Sequence, residues 1–182
     1  MKIRQANILD IKSIKSLADT LAVNSSDSKK ITGFYNYPLN ETQYFNRITS
    51  PFFFVAESQK GLEGFCMAYN SKFLKALVKK ESGLKEDTLL KYLSELHLPL
   101  VYIDQLAVRE PETIVGSLTA YNLRNKIIGE TKRLGISNIL GVVAHKPWKN
   151  ILAVKFCEKS GFEFQQEVNS KGILLGIYKL NI

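Results

Sequence analysis

Apolar positions along this 182-residue chain fall into two rhythms that alternate in order. The pattern opens on a short strand, Lys2 to Arg4. Asp10 then stands where a helix cap is expected, because Ile11, Ile14, Leu17, Leu21 and Val23 recur near helical spacing. Residues 24–30 are polar and predict a loop. Residues 31–49 have no clear period, with a short helix expected from Glu41 to Ile48. Pro51 precedes a strand-length apolar run, Phe52 to Glu57. Gln59-Lys60-Gly61 turns the chain, and Gly64 to Tyr69 returns as the second arm of a hairpin. Residues 72–97 predict an inserted helical arm, with Leu74, Leu77 and Val78 on one apolar face and Leu89, Leu90, Tyr92 and Leu93 on another. Pro99 to Val108 is the strongest strand. A loop follows, then a helix from about Ser117 to Leu134 that ends at Gly135. Ile139 to Ala144 predicts a buried strand and Asn150 to Ser160 a helix stopped by Gly161. Phe162 to Val168 and Ile173 to Leu180 predict strands joined by the turn Asn169 to Gly172. This order gives an α/β chain, a mixed sheet with helices on both faces.

Composition adds little to that picture and removes some alternatives. Apolar residues make up 45% and charged residues 23%, ordinary for a globular protein. No apolar run nears the ~20 residues that span a bilayer. The first residues turn polar at once, unlike a signal peptide. Cys66 and Cys157 sit in apolar segments, which fits reduced thiols in a cytoplasmic protein. Two distant histidines and no paired cysteines argue against a structural zinc. The net charge is +8. That attracts polyanions, whether a phosphorylated cofactor, an acidic protein or nucleic acid. The lysines are scattered, so a dedicated nucleic-acid surface is not expected.

The strand 100–108, the helix after it and the strand 139–144 form a βαβ unit, with parallel strands. Ligands bind such sheets beyond the strand carboxyl ends, near the helix start, where free amides favour phosphate. Val115-Gly116-Ser117-Leu118-Thr119-Ala120 supplies small residues there. The same residues also read as an ordinary helix start capped by Ser117 or Thr119.

The stretch Asn150-x-x-Ala153, then Phe156-Cys157-Glu158-Lys159-x-Gly161-Phe162, resembles the Asn-x-x-Ala…Tyr…Gly-Phe hallmark of the GNAT N-acetyltransferase superfamily. Tyr102-Ile103-Asp104-Gln105-Leu106-Ala107-Val108 resembles that family's central strand. The likeness is good over about 98–180 and loose before it. It implies a single domain over 1–182 with a helical insertion at about 72–97. It also implies a mostly antiparallel sheet of about seven strands with a splayed parallel pair in the middle. Acetyl-CoA is the implied acyl donor. The backbone of Leu106, Ala107 and Val108 would hold its pantetheine arm, and the amides of Val115, Gly116, Ser117, Leu118, Thr119, Ala120 and Tyr121 its pyrophosphate. Asn150 would bond near the pantetheine, with Ala153, Phe156 and Cys157 at the thioester.

Two departures from the family stand out. Its Gln/Arg-x-x-Gly-x-Gly/Ala signature is damaged in either register, whether Ala120 or Gly116 takes the last position. The spacing to Gly135 and the apolar face of Leu123, Ile127 and Ile128 favour Ala120. Cys157 stands where the family has a tyrosine acid. A thiol near ~8.5 could donate a proton there, or Cys157 is simply core. Asp104 is the candidate base; alternation puts Tyr102, Asp104, Leu106 and Val108 on one face. The other reading is a structural aspartate bonded to a loop. His145 reads as a base or as a solvated loop residue, and Trp148 as a stacking or a packing residue. Lys146, Lys149 and Lys155 stand near the expected nucleotide.

The acceptor is expected to be a primary amine, on a small molecule or a protein. Its pocket is expected from the first helix, residues 24–50 and the arm, which reads equally as a homodimer contact. Rival readings are a decayed module that binds CoA or a partner, and an acyltransferase acting on charged RNA or ribosomal protein.

Overall fold

The computed structural model describes residues 1–23, 33–35, 39–81, 84, 87–96 and 98–182; the polar loop expected at 24–30 lies outside the described residues. The described chain runs β1 (Lys2–Gln5), a 3-10 turn (Ile8–Asp10), α1 (Ile11–Thr20), β2 (Ala22–Val23), β3 (Phe34–Tyr35), α2 (Glu41–Arg47), β4 (Phe52–Ser58) and β5 (Gly61–Asn70). It continues through α3 (Ser71–Lys80), α4 (Thr88–Glu95), β6 (Leu100–Val108), α5 (Ile114–Arg133), β7 (Asn138–Lys146), α6 (Ile151–Lys159), β8 (Glu163–Ser170) and β9 (Ile173–Asn181).

Seven strands form one sheet in the order β1-β4-β5-β6-β7-β9-β8. Its single parallel pair is β6 and β7, and the other neighbours are antiparallel. Each face carries a core. One contains Ile14 and Leu17 of α1, Tyr44 of α2, Leu74 and Leu77 of α3, and Leu89, Leu90 and Leu93 of α4. The arm read as an insertion is therefore part of this core. Leu123 and Ile127 of α5 and Val154 and Cys157 of α6 fill the other.

Three local expectations change. Asp10 stands at the start of α1, but its carboxylate makes no cap bond there. It accepts from the backbone of Asn7 and from both terminal nitrogens of Arg4, at 2.7 and 2.8 Å, because Asn7 caps the preceding turn reciprocally. α5 begins at Ile114 rather than Ser117, since the Thr113 hydroxyl accepts from the Gly116 amide and caps it. A side chain on Gly116 would sit 2.2 Å from the Glu110 carbonyl, so glycine here lets the helix start press on the loop after β6.

The third change is in β6. Met67 of β5 pairs with Gln105 and Ala68 with Ile103, so Asp104 is an extra residue with no partner across. Such a bulge breaks the two-residue alternation. Tyr102 and Ala107 belong to the core under α1 to α4. Ile103, Leu106 and Val108 belong to the core under α5 and α6. Tyr102, Asp104, Leu106 and Val108 therefore do not share one face.

Candidate active site

β6 and β7 are paired only from Leu100–Asn138 to Ile103–Gly141. Beyond that they diverge, each held by its other neighbour: β5 pairs with β6 to Val108, and β9 pairs with β7 to Lys146. The β7-facing edge of β6 from Asp104 to Val108 thus has no strand partner. The Arg109 amide donates to Glu63 on the β5 side. Alternation back from it turns the backbone groups of Leu106 and Val108 into the gap.

A cleft of about 690 Å³ passes through this gap. On the α5 and α6 side it is lined by Leu106, Val108, Ser117, Ala120, Tyr121, Asn150, Ala153, Phe156 and Cys157, and Ala107 meets it from the other face of β6. The structure brings these sequence-predicted residues together. It leaves out Val115, Gly116, Leu118 and Thr119. Val115 and Leu118 are exposed, Gly116 packs on Glu110, and buried Thr119 bonds back to the Val115 carbonyl. The helix start explains this. Amides from Leu118 to Tyr121 lie inside α5, while Thr113 takes those of Gly116 and Ser117. Only Ile114 and Val115 remain at the open end of the helix.

Asn150 lines the cleft, yet its side chain is engaged. Its Oδ1 accepts from the Ala153 amide and caps α6, and its Nδ2 donates to the Gly33 carbonyl. Cys157 is nearly buried, and burial pushes its thiol up to about 12. A thiol held so far above ~8.5 gives its proton to a leaving thiolate only uphill.

On the opposite side of the sheet Asp104 meets the cleft. Its Oδ2 accepts from the Tyr69 hydroxyl at 2.7 Å and its Oδ1 from the Tyr102 hydroxyl at 3.2 Å. The second bond is long for two oxygens, so Oδ1 is the less committed acceptor. Burial raises the Asp104 pKa; the Arg47 charge and the two tyrosine hydroxyls oppose it. Behind them lies Arg47, 1% exposed, clamped by both Glu81 oxygens at 2.7 and 3.1 Å. Next to Asp104, Gln105 accepts from the Tyr44 hydroxyl. The result is a carboxyl shifted toward the neutral range, half open to a cleft, on the far side of the gap from the open strand edge.

Other candidates fall elsewhere. The His145 ring is held by Glu167 at 2.7 Å, Tyr178 at 3.0 Å and a stacked Phe164, outside the cleft lining. It is neither a solvated loop residue nor placed as a base. Trp148 packs with Val23. Lys155 and Lys159 line the cleft, whereas Lys146 and Lys149 do not. The tyrosines on Asp104 were not singled out as its partners from the sequence. Their hydroxyls at the ends of apolar runs were the available signal, since a buried tyrosine needs a polar partner. Among the described residues no three His, Cys, Asp or Glu could hold a metal, and no helix is long and apolar enough to cross a membrane.

No family model and no curated protein matches this sequence. Solved structures match the fold over its whole length. Ard1 from Thermoplasma volcanium gives a TM-score of 0.67 at 13% identity, covering 100% of this chain and 97% of its own. Naa50 from Arabidopsis thaliana, solved with the bisubstrate analogue CoA-Ac-MVNAL, gives 0.65 at 19% identity over 100% and 98%. An N-acetyltransferase from Staphylococcus aureus Mu50 gives 0.62 at 17% identity over 99% and 97%. The chain has the GNAT fold.

Proposed function

We propose that this protein transfers an acetyl group from acetyl-CoA directly to a primary amine. The observation that carries the reading is the cleft through the β6–β7 gap, with an open strand edge on one side of the sheet and the Asp104 carboxyl on the other. Acetyl-CoA supplies a thioester carbonyl that an amine can attack. An extended amide-bearing arm fits the free backbone groups of Leu106 and Val108 as a further strand would. Ser117, Ala120 and Tyr121 wall one flank, and Ala153 and Phe156 the other. The amides of Ile114 and Val115 and the cations of Lys155 and Lys159 suit its phosphates. Asp104, through Oδ1, takes the proton that the amine loses as the C–N bond forms and the C–S bond breaks. A raised carboxyl pKa suits that work near neutrality. Solvent protonates the leaving thiolate, and Cys157 packs.

Exposed Leu118, or Ile114 in the other register, stands where the resembled family has its first glycine, and this favours one second reading. It is a module that binds the coenzyme without turnover. Calorimetric titration with acetyl-CoA, followed by product mass spectrometry with an amine panel, separates the two. One micromolar site per chain with acetylated amine is the expected result. Tight binding without product favours the module, and no binding up to millimolar removes both.

A further inference from the structure

The half of the cleft beyond Asp104 has its own chemistry. Its walls come from four separate segments. Leu21 follows α1, Phe34 lies in β3, Leu90 in α4, and Ile173 and Leu175 in β9. Leu21, Phe34, Ile173 and Leu175 are only half-buried, so they keep apolar surface toward the cleft. Asn150 fixes this wall in place through its bond to the Gly33 carbonyl, next to Phe34. Two carboxylates line this half among the described residues, Asp104 and Asp87. Asp87 is already satisfied. Its Oδ1 accepts from the amides of Leu89 and Leu90 and from the Ser170 hydroxyl, and Lys171 lies 3.4 Å from its Oδ2. These contacts also fasten the β8–β9 turn to the start of α4, which closes the wall around Leu90 and Ile173.

From this we infer that the acceptor, on the acetyltransferase reading above, is a monoamine whose amine is flanked by an apolar alkyl or aryl group. One carboxylate at the floor, Asp104, with only a long hydrogen bond from Tyr102 on its Oδ1, suits one cation. Apolar walls above it reject further charge, because a second ammonium would lose its water without gaining a partner. A free arylalkylamine and a peptide N-terminus beginning with Leu or Phe share this chemistry.

The test is acetylation by the intact protein, read by product mass spectrometry. The panel holds phenethylamine, isopentylamine, peptides starting with Leu, Phe or Asp, spermidine and lysine. An apolar monoamine or apolar-start peptide should exceed spermidine, lysine and the Asp peptide in kcat/KM by about tenfold or more. Which of the two apolar sets wins tells the free amine from the peptide. Phe34→Ser and Leu175→Ser, each at a half-buried position, should each erase most of that preference through KM, with acetyl-CoA affinity unchanged as the check on folding. Preference for spermidine or lysine overturns the inference, as does a preference that survives both substitutions. Acetyl-CoA binding with no panel member acetylated overturns it as well. Failure to bind acetyl-CoA at all fells the acetyltransferase reading itself.

Discussion

Asp104 owes its position to one extra residue. Without the bulge it would alternate with Leu106 and Val108 on a common face; with it, the carboxyl sits opposite the open strand edge. Its raised pKa gives two predictions of opposite sign. As a base, Asp104 works only when ionised, so kcat/KM should rise as pH climbs through its elevated pKa. Asp104→Asn should lose about 10²–10⁴-fold in kcat/KM along with that acidic limb, while acetyl-CoA affinity, measured by calorimetry, stays. For stability, a folded-state pKa above the unfolded one means the carboxyl's contribution is present at low pH and lost as pH rises through the folded value. Asp104→Asn should therefore melt higher than wild type at pH 7 and lose that advantage in acid. Cys157→Ala, by contrast, should change kcat less than threefold, because the thiol is held well above a leaving thiolate. Cysteine in place of the family's tyrosine was visible in the sequence. Its reading as core was visible too, but that its buried neighbours are Val154, Phe162 and Tyr178 was not.

Among elements, the short helix α2 is tied to α3 by the Arg47–Glu81 pair, which lies directly behind the Asp104 site. Burial pushes the Glu81 carboxyl up, but the hydrogen bonds from Arg47 and Asn46 outweigh it and hold it low. Glu81→Ala would leave the Arg47 guanidinium buried without its counter-charge, at a cost of about 3–5 kcal/mol. Urea unfolding would register this as a fall in midpoint at unchanged slope. The helices themselves were legible. Their apolar spacing and the glycines after α5 and α6 located them within a few residues. The start of α5 was not, because whether Thr113, Ser117 or Thr119 caps a helix depends on where the preceding loop lies. The Gly116 contact with Glu110 settles that, and it takes Leu118 to Tyr121 out of the set of free amides.

For the molecule as a whole, a ligand that bridges α5, α6 and the β6 edge should stabilise the fold by mass action. Acetyl-CoA at a hundredfold excess over its Kd should add about 2.7 kcal/mol, a Tm rise on the order of 5–10 °C. Differential scanning fluorimetry with acetyl-CoA and with a polyanion of equal charge separates a specific site from the attraction of a +8 chain. The second should fade in salt and the first should persist in part.

The sequence by itself determined the seven strands of the main sheet and the helices to within a few residues, their order, and the chemical candidates on them, but not the short pair β2 and β3. Local periodicity and capping chemistry act within a few residues, so they can be read along the chain. The tertiary structure decided which candidates share a site. The gap between β6 and β7 exists because β5 and β9 pull the two strands toward different neighbours. The bulge at Asp104 is set by the register with β5, and the apolar wall of the cleft beyond Asp104 is assembled from segments as far apart as Leu21 and Leu175. Each of these rests on contacts across long stretches of sequence, and no local pattern encodes them.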